Sequence, residues 1–160
     1  DAQLLHWQKE AAAHLSVEEF SQWTASYLPS ELSREQLEPF LAVIRHNVAF
    51  PQEAAHWASV VFGSNLELDA EALSAIQGAG AEFFSAASQV FERQQDFKSA
   101  VREIGQATAK KGPQLFMPLR AALTGATHGP ELAPLLALIP SVEIQKRLSQ
   151  AQQLANLSGG

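Results

Sequence analysis

Arg120 is the charged residue of an otherwise apolar run, residues 115–123, which reads Leu-Phe-Met-Pro-Leu-Arg-Ala-Ala-Leu. A guanidinium in that setting either lies along the surface with its head in water or has a planar partner to meet. The planar partners are a phosphate, gripped by a two-pronged fork, and a nucleobase, on which the group stacks. Lys110-Lys111-Gly112-Pro113 is a small basic turn just ahead of this run, and Arg102 precedes the turn. Lys98, Lys146 and Arg147 are expected on solvated faces.

Other chemistries find no support. The chain has no Cys, which removes disulfides, thiolate metal sites and cysteine nucleophiles. His6, His14, His46, His56 and His128 include no pair at i, i+4, so no metal is assigned. Gly78-Ala79-Gly80 follows no strand and reads as a helix junction rather than a phosphate loop. Serines occur without a nucleophile elbow. These residues predict no catalytic site in this stretch and point to a binding or scaffold module.

The elements that must position Arg120 read as helices throughout. An opening helix is expected from Leu4 to about His14. Ser16-Val17-Glu18-Glu19 and Ser33-Arg34-Glu35-Gln36 are capping boxes, in which the Ser oxygen and the acidic or amide side chain satisfy each other's backbone donors. The first opens a helix with Phe20, Trp23 and Tyr27 on one stripe, which Pro29 ends. The second opens a helix with Leu37, Phe40, Leu41 and Ile44 on one face and Pro39 early in it. Pro51 suits the first position of the next helix. Asp69 and Asp96 are N-cap residues for later helices, and Ser141 is one for the last. Residues 117–123 predict a short helix with Pro118 in its first turn, residues 124–129 a loop, and residues 130–138 a further helix. No stretch alternates as a strand does, so the expected class is all-α.

The 160 residues, 46% hydrophobic and 18% charged, describe a folded chain with room for a core. No apolar run is long enough to span a bilayer, the residues from Asp1 do not read as a signal peptide, and the sequence does not open on Met, so a piece of a longer soluble, cytoplasmic protein is expected. The net charge of −6 argues against a general nucleic-acid or DNA binder. Its distribution is uneven: residues 1–95 hold 13 acidic and 4 basic side chains, residues 96–160 hold 4 and 7. The unevenness reads either as two subdomains with different surfaces or as a second half that faces an anion; the best boundary lies near Gly78 to Gln95, and two small helical subdomains packed together, 1–80 and 81–160, are expected.

Residues 111–125, Lys-Gly-Pro-Gln-Leu-Phe-Met-Pro-Leu-Arg-Ala-Ala-Leu-Thr-Gly, and the His128-Gly129-Pro130-Glu131-Leu132 block after them resemble the C-terminal signature of bacterial glutamyl-tRNA synthetases. Lys146-Arg147-Leu148 is similar to that family's closing helix. The resemblance covers about the last third of the chain closely, and the rest by helix rhythm. It implies an α-helical anticodon-binding cage from an aminoacyl-tRNA ligase that attaches glutamate to tRNA in translation. The family's catalytic motifs, which use ATP and Mg, are not in this sequence, so no cofactor is expected here.

Residue by residue, the resemblance makes Arg120 an anticodon-contacting arginine. Gly129, Pro130 and Leu132 match the loop that meets unstacked bases, and Thr124 and Gly125 shape the turn before it. Arg45 or Asn47 matches the position near the third anticodon base, and Arg102 also faces the anticodon. His128 is read as loop surface. The implied partner is the tRNA of glutamate, with glutamine tRNA as a second candidate, and a monomer is expected. The alternative is a helical protein-interaction module that keeps the fold without reading tRNA. It draws on the acidic first half and on Trp23, Tyr27 and Trp57, whose spacing otherwise suits core packing.

Overall fold

The computed structural model describes residues 7–8, 10–11, 14–63, 66–94 and 96–158. The expected helix from Leu4 to His14 falls largely outside them. Nine α-helices are delimited among the described residues, and no strand occurs there, in agreement with the all-α expectation.

The helices start where local chemistry satisfies their first amides. Helix α1 (Val17–Thr24) opens on Ser16, whose hydroxyl accepts from the Glu19 amide at 3.0 Å while the Glu19 carboxylate accepts from the Ser16 amide at 3.0 Å. Those hydrogen bonds hold the exposed Glu19 carboxyl below its ordinary range. Helix α2 (Arg34–Ile44) repeats the arrangement with Ser33 and Gln36. Each such cap stabilises its helix by about 1 kcal/mol. Pro39 is the sixth residue of α2, past its first turn and on an exposed position, so the helix lacks the amide that would bond the carbonyl four residues back. Helix α3 (Glu53–Phe62) begins two residues after Pro51 rather than on it. The Glu53 carboxylate sets that start, accepting from the Ala49 and Phe50 amides at 2.9 and 2.8 Å.

Asp69 caps α4 (Ala70–Ala79) and Asp96 caps α6 (Phe97–Thr108), with α5 (Ala81–Arg93) between them. Helix α7 (Pro113–Thr124) is longer than expected. Pro113 is its first residue, where a missing amide costs nothing, and Pro118 lies in its middle rather than its first turn. Thr124 is the last helical residue instead of the first of a loop. Helix α8 (Leu132–Leu136) is shorter than the expected 130–138, and α9 (Ser141–Ser158) has Pro140, not Ser141, offering the carbonyl that accepts from the Glu143 and Ile144 amides.

The chain forms two compact units that part elsewhere than at residue 80. The first comprises residues 1–64 with 129–138, the second residues 65–128 with 139–160. Helices on both sides of Gly80 share one core, because α9 packs on both α4 and α5; residues 129–138 return to the first unit, where α8 packs on α2. In the first unit Phe40, Ile44 and Val48 are fully buried, and Phe40 meets Phe62 edge-on at 5.3 Å. Removing each such side chain from water contributes roughly 1.5–3 kcal/mol. In the second unit α4 also packs on α7, and Phe84, Ile104, Leu119 and Leu123 form the centre of the core.

Gly125 ends α7 at φ +82°, and a Cβ there would lie 2.1 Å from the Glu67 carbonyl oxygen. Gly112, at φ +60°, has open space around its Cβ position. Gly125→Ala should therefore cost about 2–4 kcal/mol, backbone strain plus a clash, and Gly112→Ala about 1–2 kcal/mol, strain alone. Urea unfolding of both variants checks this: equal losses would remove the Glu67 contact from the account.

Candidate nucleic-acid interface

The residues singled out by sequence fall into two sets, one in each unit. Arg120, Thr124 and Arg102 belong to the second unit, and Arg45, Asn47, Gly129, Pro130 and Leu132 to the first.

Arg120 sits in the last turns of α7, half-buried. Burial pushes its guanidinium below the ordinary arginine range, but arginine stays protonated at neutral pH. Phe116 and Met117, on the same helix, are large apolar side chains exposed to solvent, an uncommon place for them. A partly desolvated cation on one helix with exposed apolar and aromatic side chains can fork onto a phosphate and can stack on a base. Lys110 is half-buried and Lys111 exposed at the turn before α7, and Arg102 is exposed on α6, which packs on α7.

Thr124 is buried, and its side chain works inward. The hydroxyl donates to the Arg120 carbonyl at 2.7 Å and accepts from the Ala126 amide at 3.3 Å. It shapes the turn, as expected, together with Gly125, whose carbonyl accepts from the Asp69 amide at 3.0 Å. The Thr127 hydroxyl donates to Glu71 at 2.8 Å. Residues 125–127 are thus strapped to the start of α4. His128 is exposed, as expected for loop surface.

Arg147 overturns its expectation. Instead of facing solvent it is 1% exposed, pinned between Glu143, at 3.1 Å from its Nε, and the Leu123 carbonyl, at 2.8 Å from its Nη1. Burial pushes its guanidinium below the usual range, and the Glu143 hydrogen bond and charge pull it back up. The signal was present in the sequence: Arg147 lies three residues after Ile144 and four before Ala151, on the apolar side of α9, with Glu143 one turn back. Lys98 and Lys146 are exposed as expected.

In the first unit, Arg45 and Asn47 form the 3-10 turn Arg45–Asn47 that continues α2. Arg45 is half-buried and donates from Nη2 to the Leu15 carbonyl, which ties the turn to the segment before α1. Asn47 is half-buried. Pro130 and Leu132 are buried, so they support the backbone of the 129–132 loop more than they present side chains. Gly129 rests on Trp57: a Cβ there would lie 2.4 Å from the indole Cη2. Trp57 is itself buried, with His56 edge-on at 4.9 Å, so it belongs to the core, whereas Trp23 is half-buried and Tyr27 exposed. Sequence alone did not pair Trp57 with Gly129. Among the described residues no cluster of three His, Cys, Asp or Glu side chains could hold a metal, and no helix is long and apolar enough to cross a membrane.

Gly129→Ala should push the Trp57 ring from its seat and cost the first unit about 1–3 kcal/mol, the usual range for overpacking. The Trp57 indole N–H resonance and a urea midpoint report it. An unmoved resonance with unchanged stability would show that the loop gives way instead.

Comparison with known proteins identifies the family. Residues 9–152 match the family described as an anticodon binding domain. The chain is similar to glutamate–tRNA ligase 2 of Nitrosococcus oceani, 40% identical over 147 residues that make up 91% of this chain and 31% of that protein. It is similar to glutamate–tRNA ligase 1 of Halorhodospira halophila, 42% identical over 157 residues, 98% of this chain and 32% of that protein. The chain thus spans about a third of the length of the curated relatives it matches. Among solved structures, the glutamate-tRNA synthetase of Elizabethkingia anophelis shares the fold, with a TM-score of 0.70 at 18% identity, over 93% of this chain and 31% of that one. With nearly all of its length matched, and with helices alone among its described residues, the chain belongs to the anticodon-binding domain family, in the form carried by glutamate–tRNA ligases.

Proposed function

We propose that this chain binds the anticodon loop of glutamate tRNA for a parent enzyme that joins glutamate to that tRNA. The family match over residues 9–152 carries the reading. In the second unit, Arg120 is the principal contact and Arg102 a subsidiary one. In the first unit, the backbone at Gly129 and Pro130 meets unstacked bases and Asn47 is a polar contact. Arg45, engaged with Leu15, Thr124, closed into its own turn, and Leu132, buried beneath the loop, hold the reading groups in place. ATP and magnesium would be handled by the parent's catalytic part, and no residue here is assigned to them.

The physics suits a single-stranded loop, whose bases can be splayed, stacked and read at their edges. A loop fixed before RNA arrives loses little entropy on binding. The acidic surface of the first unit disfavours indiscriminate phosphate binding, which leaves affinity to a few placed cations. Exposed Tyr27 and Phe50 in that unit favour the second reading, a docking surface for protein.

Arg120→Ala should weaken binding of a glutamate-anticodon stem-loop by about 1–3 kcal/mol, the scale of one stacked or edge contact. Salt dependence says which contact is lost. Each phosphate neutralised on a single strand contributes a slope of about −0.7 in log K against log salt, so a fork onto phosphate lowers the slope and base stacking leaves it unchanged. An NMR titration with glutamate and glutamine stem-loops should move Arg120 and residues 129–132. Equal effects of both loops point to a parent serving both tRNAs. No shifts even at low salt would sink RNA reading and leave protein docking.

A further inference from the structure

Arg147 and Arg120 lie at the same end of α7, one inside the second unit and one at its surface. Leu123 is in the last turn of α7, where carbonyls have no partner within the helix. The Arg147 guanidinium takes that carbonyl at 2.8 Å, a cation at the negative end of a helix. Its Nε is held by Glu143 at 3.1 Å on its own helix. Arg120 is three residues before Leu123, and its carbonyl receives the Thr124 hydroxyl. On the other side, Gly125 and Thr127 are strapped to the start of α4 through Asp69 and Glu71.

We infer that Arg147 is a positioning residue for RNA binding: by joining α9 to the Leu123 carbonyl, it fixes the final turn of α7 and with it the place from which Arg120 reaches RNA. The inference rests on the reading of Arg120 as an RNA contact. It goes further in assigning part of the affinity to a side chain that RNA cannot touch. Arginine suits the position because its rigid planar group presents donors on two separate nitrogens, Nε and Nη1, to acceptors on two helices, whereas the donors of a lysine ammonium all lie on one nitrogen.

The test uses the whole chain and a stem-loop bearing the glutamate anticodon, far below the melting temperature of every variant. Arg147→Lys keeps the charge and should stay folded, with faster amide exchange at residues 124–127. Its affinity should fall about five- to tenfold, the effect of one coupled neighbour, with an unchanged salt slope because Arg147 meets no phosphate. Arg147→Met should lose more than Arg147→Lys. A purely structural role would lower the melting temperature and leave affinity alone. If Arg120→Ala weakens binding and a folded Arg147→Lys does not, the positioning role is overturned. If Arg120→Ala itself has no effect, the RNA reading is overturned and the positioning role falls with it. Should Arg147→Lys fail to fold, Glu143→Gln takes its place. It removes the charge but keeps an oxygen that can accept from Nε, so the grip loosens without being lost; a two- to threefold loss of affinity is expected, and no loss overturns the inference.

Discussion

A guanidinium taken out of water must find acceptors for its hydrogens, or the unit that buries it is penalised by several kcal/mol. In the second unit that demand falls on Arg147, and the surrounding architecture answers it. Glu143 supplies a carboxylate from the preceding turn of the same helix, and α7 supplies the Leu123 carbonyl that its own geometry leaves unsatisfied. Two deficits cancel: a buried cation without water and a helix end without donors. The cancellation brings the end of α7 against the first half of α9. The apolar contacts of Leu119, Leu123 and Leu148 then close around a geometry that the polar groups select.

The same constraint reaches the surface through α7. Its last turn is gripped from α9, and the strand of chain that leaves it is held to α4 at Gly125 and Thr127. Gly125 is required twice over, by a left-handed backbone and by the Glu67 carbonyl against which it lies. The first unit uses steric rather than polar means: Gly129 seats its backbone on the Trp57 indole, and Pro130 and Leu132 are buried behind it. In both units the groups that hold the candidate residues in place face inward.

Much of this was legible from residue types. The capping boxes at Ser16 and Ser33 and the Asp caps at 69 and 96 form as read, because each is a local bargain among four consecutive residues. Thr124 closes its turn by a local bond of this kind, to the Ala126 amide, whereas Gly125 is fixed by the distant Asp69 amide and Glu67 carbonyl. Arg120 stood out because a charge in an apolar run needs an explanation. Arg147 did not, because it adjoins Lys146 in a basic pair of the kind that usually faces solvent. Successive residues of a helix project about 100° apart, and on α9 that turn leaves Lys146 exposed and Arg147 buried. The short helix expected at 117–123 extends to Pro113 because the first turn of a helix needs no amide from its first residue, and proline is then a start signal. The parting expected near residue 80 followed a change in charge, which is a property of surfaces and says little about which apolar faces meet.

The sequence alone determined the helical class and most helix starts. Each of these depends on neighbours within a turn or two of chain. Tertiary structure alone decided that residues 129–138 join the first unit, that Trp57 lies under Gly129, and that Arg147 is sealed against the Leu123 carbonyl. Those outcomes bring together residues 24 or more positions apart. Partners at such distances are chosen by the fit of whole helix faces and the satisfaction of buried polar groups, and no local pattern encodes that choice.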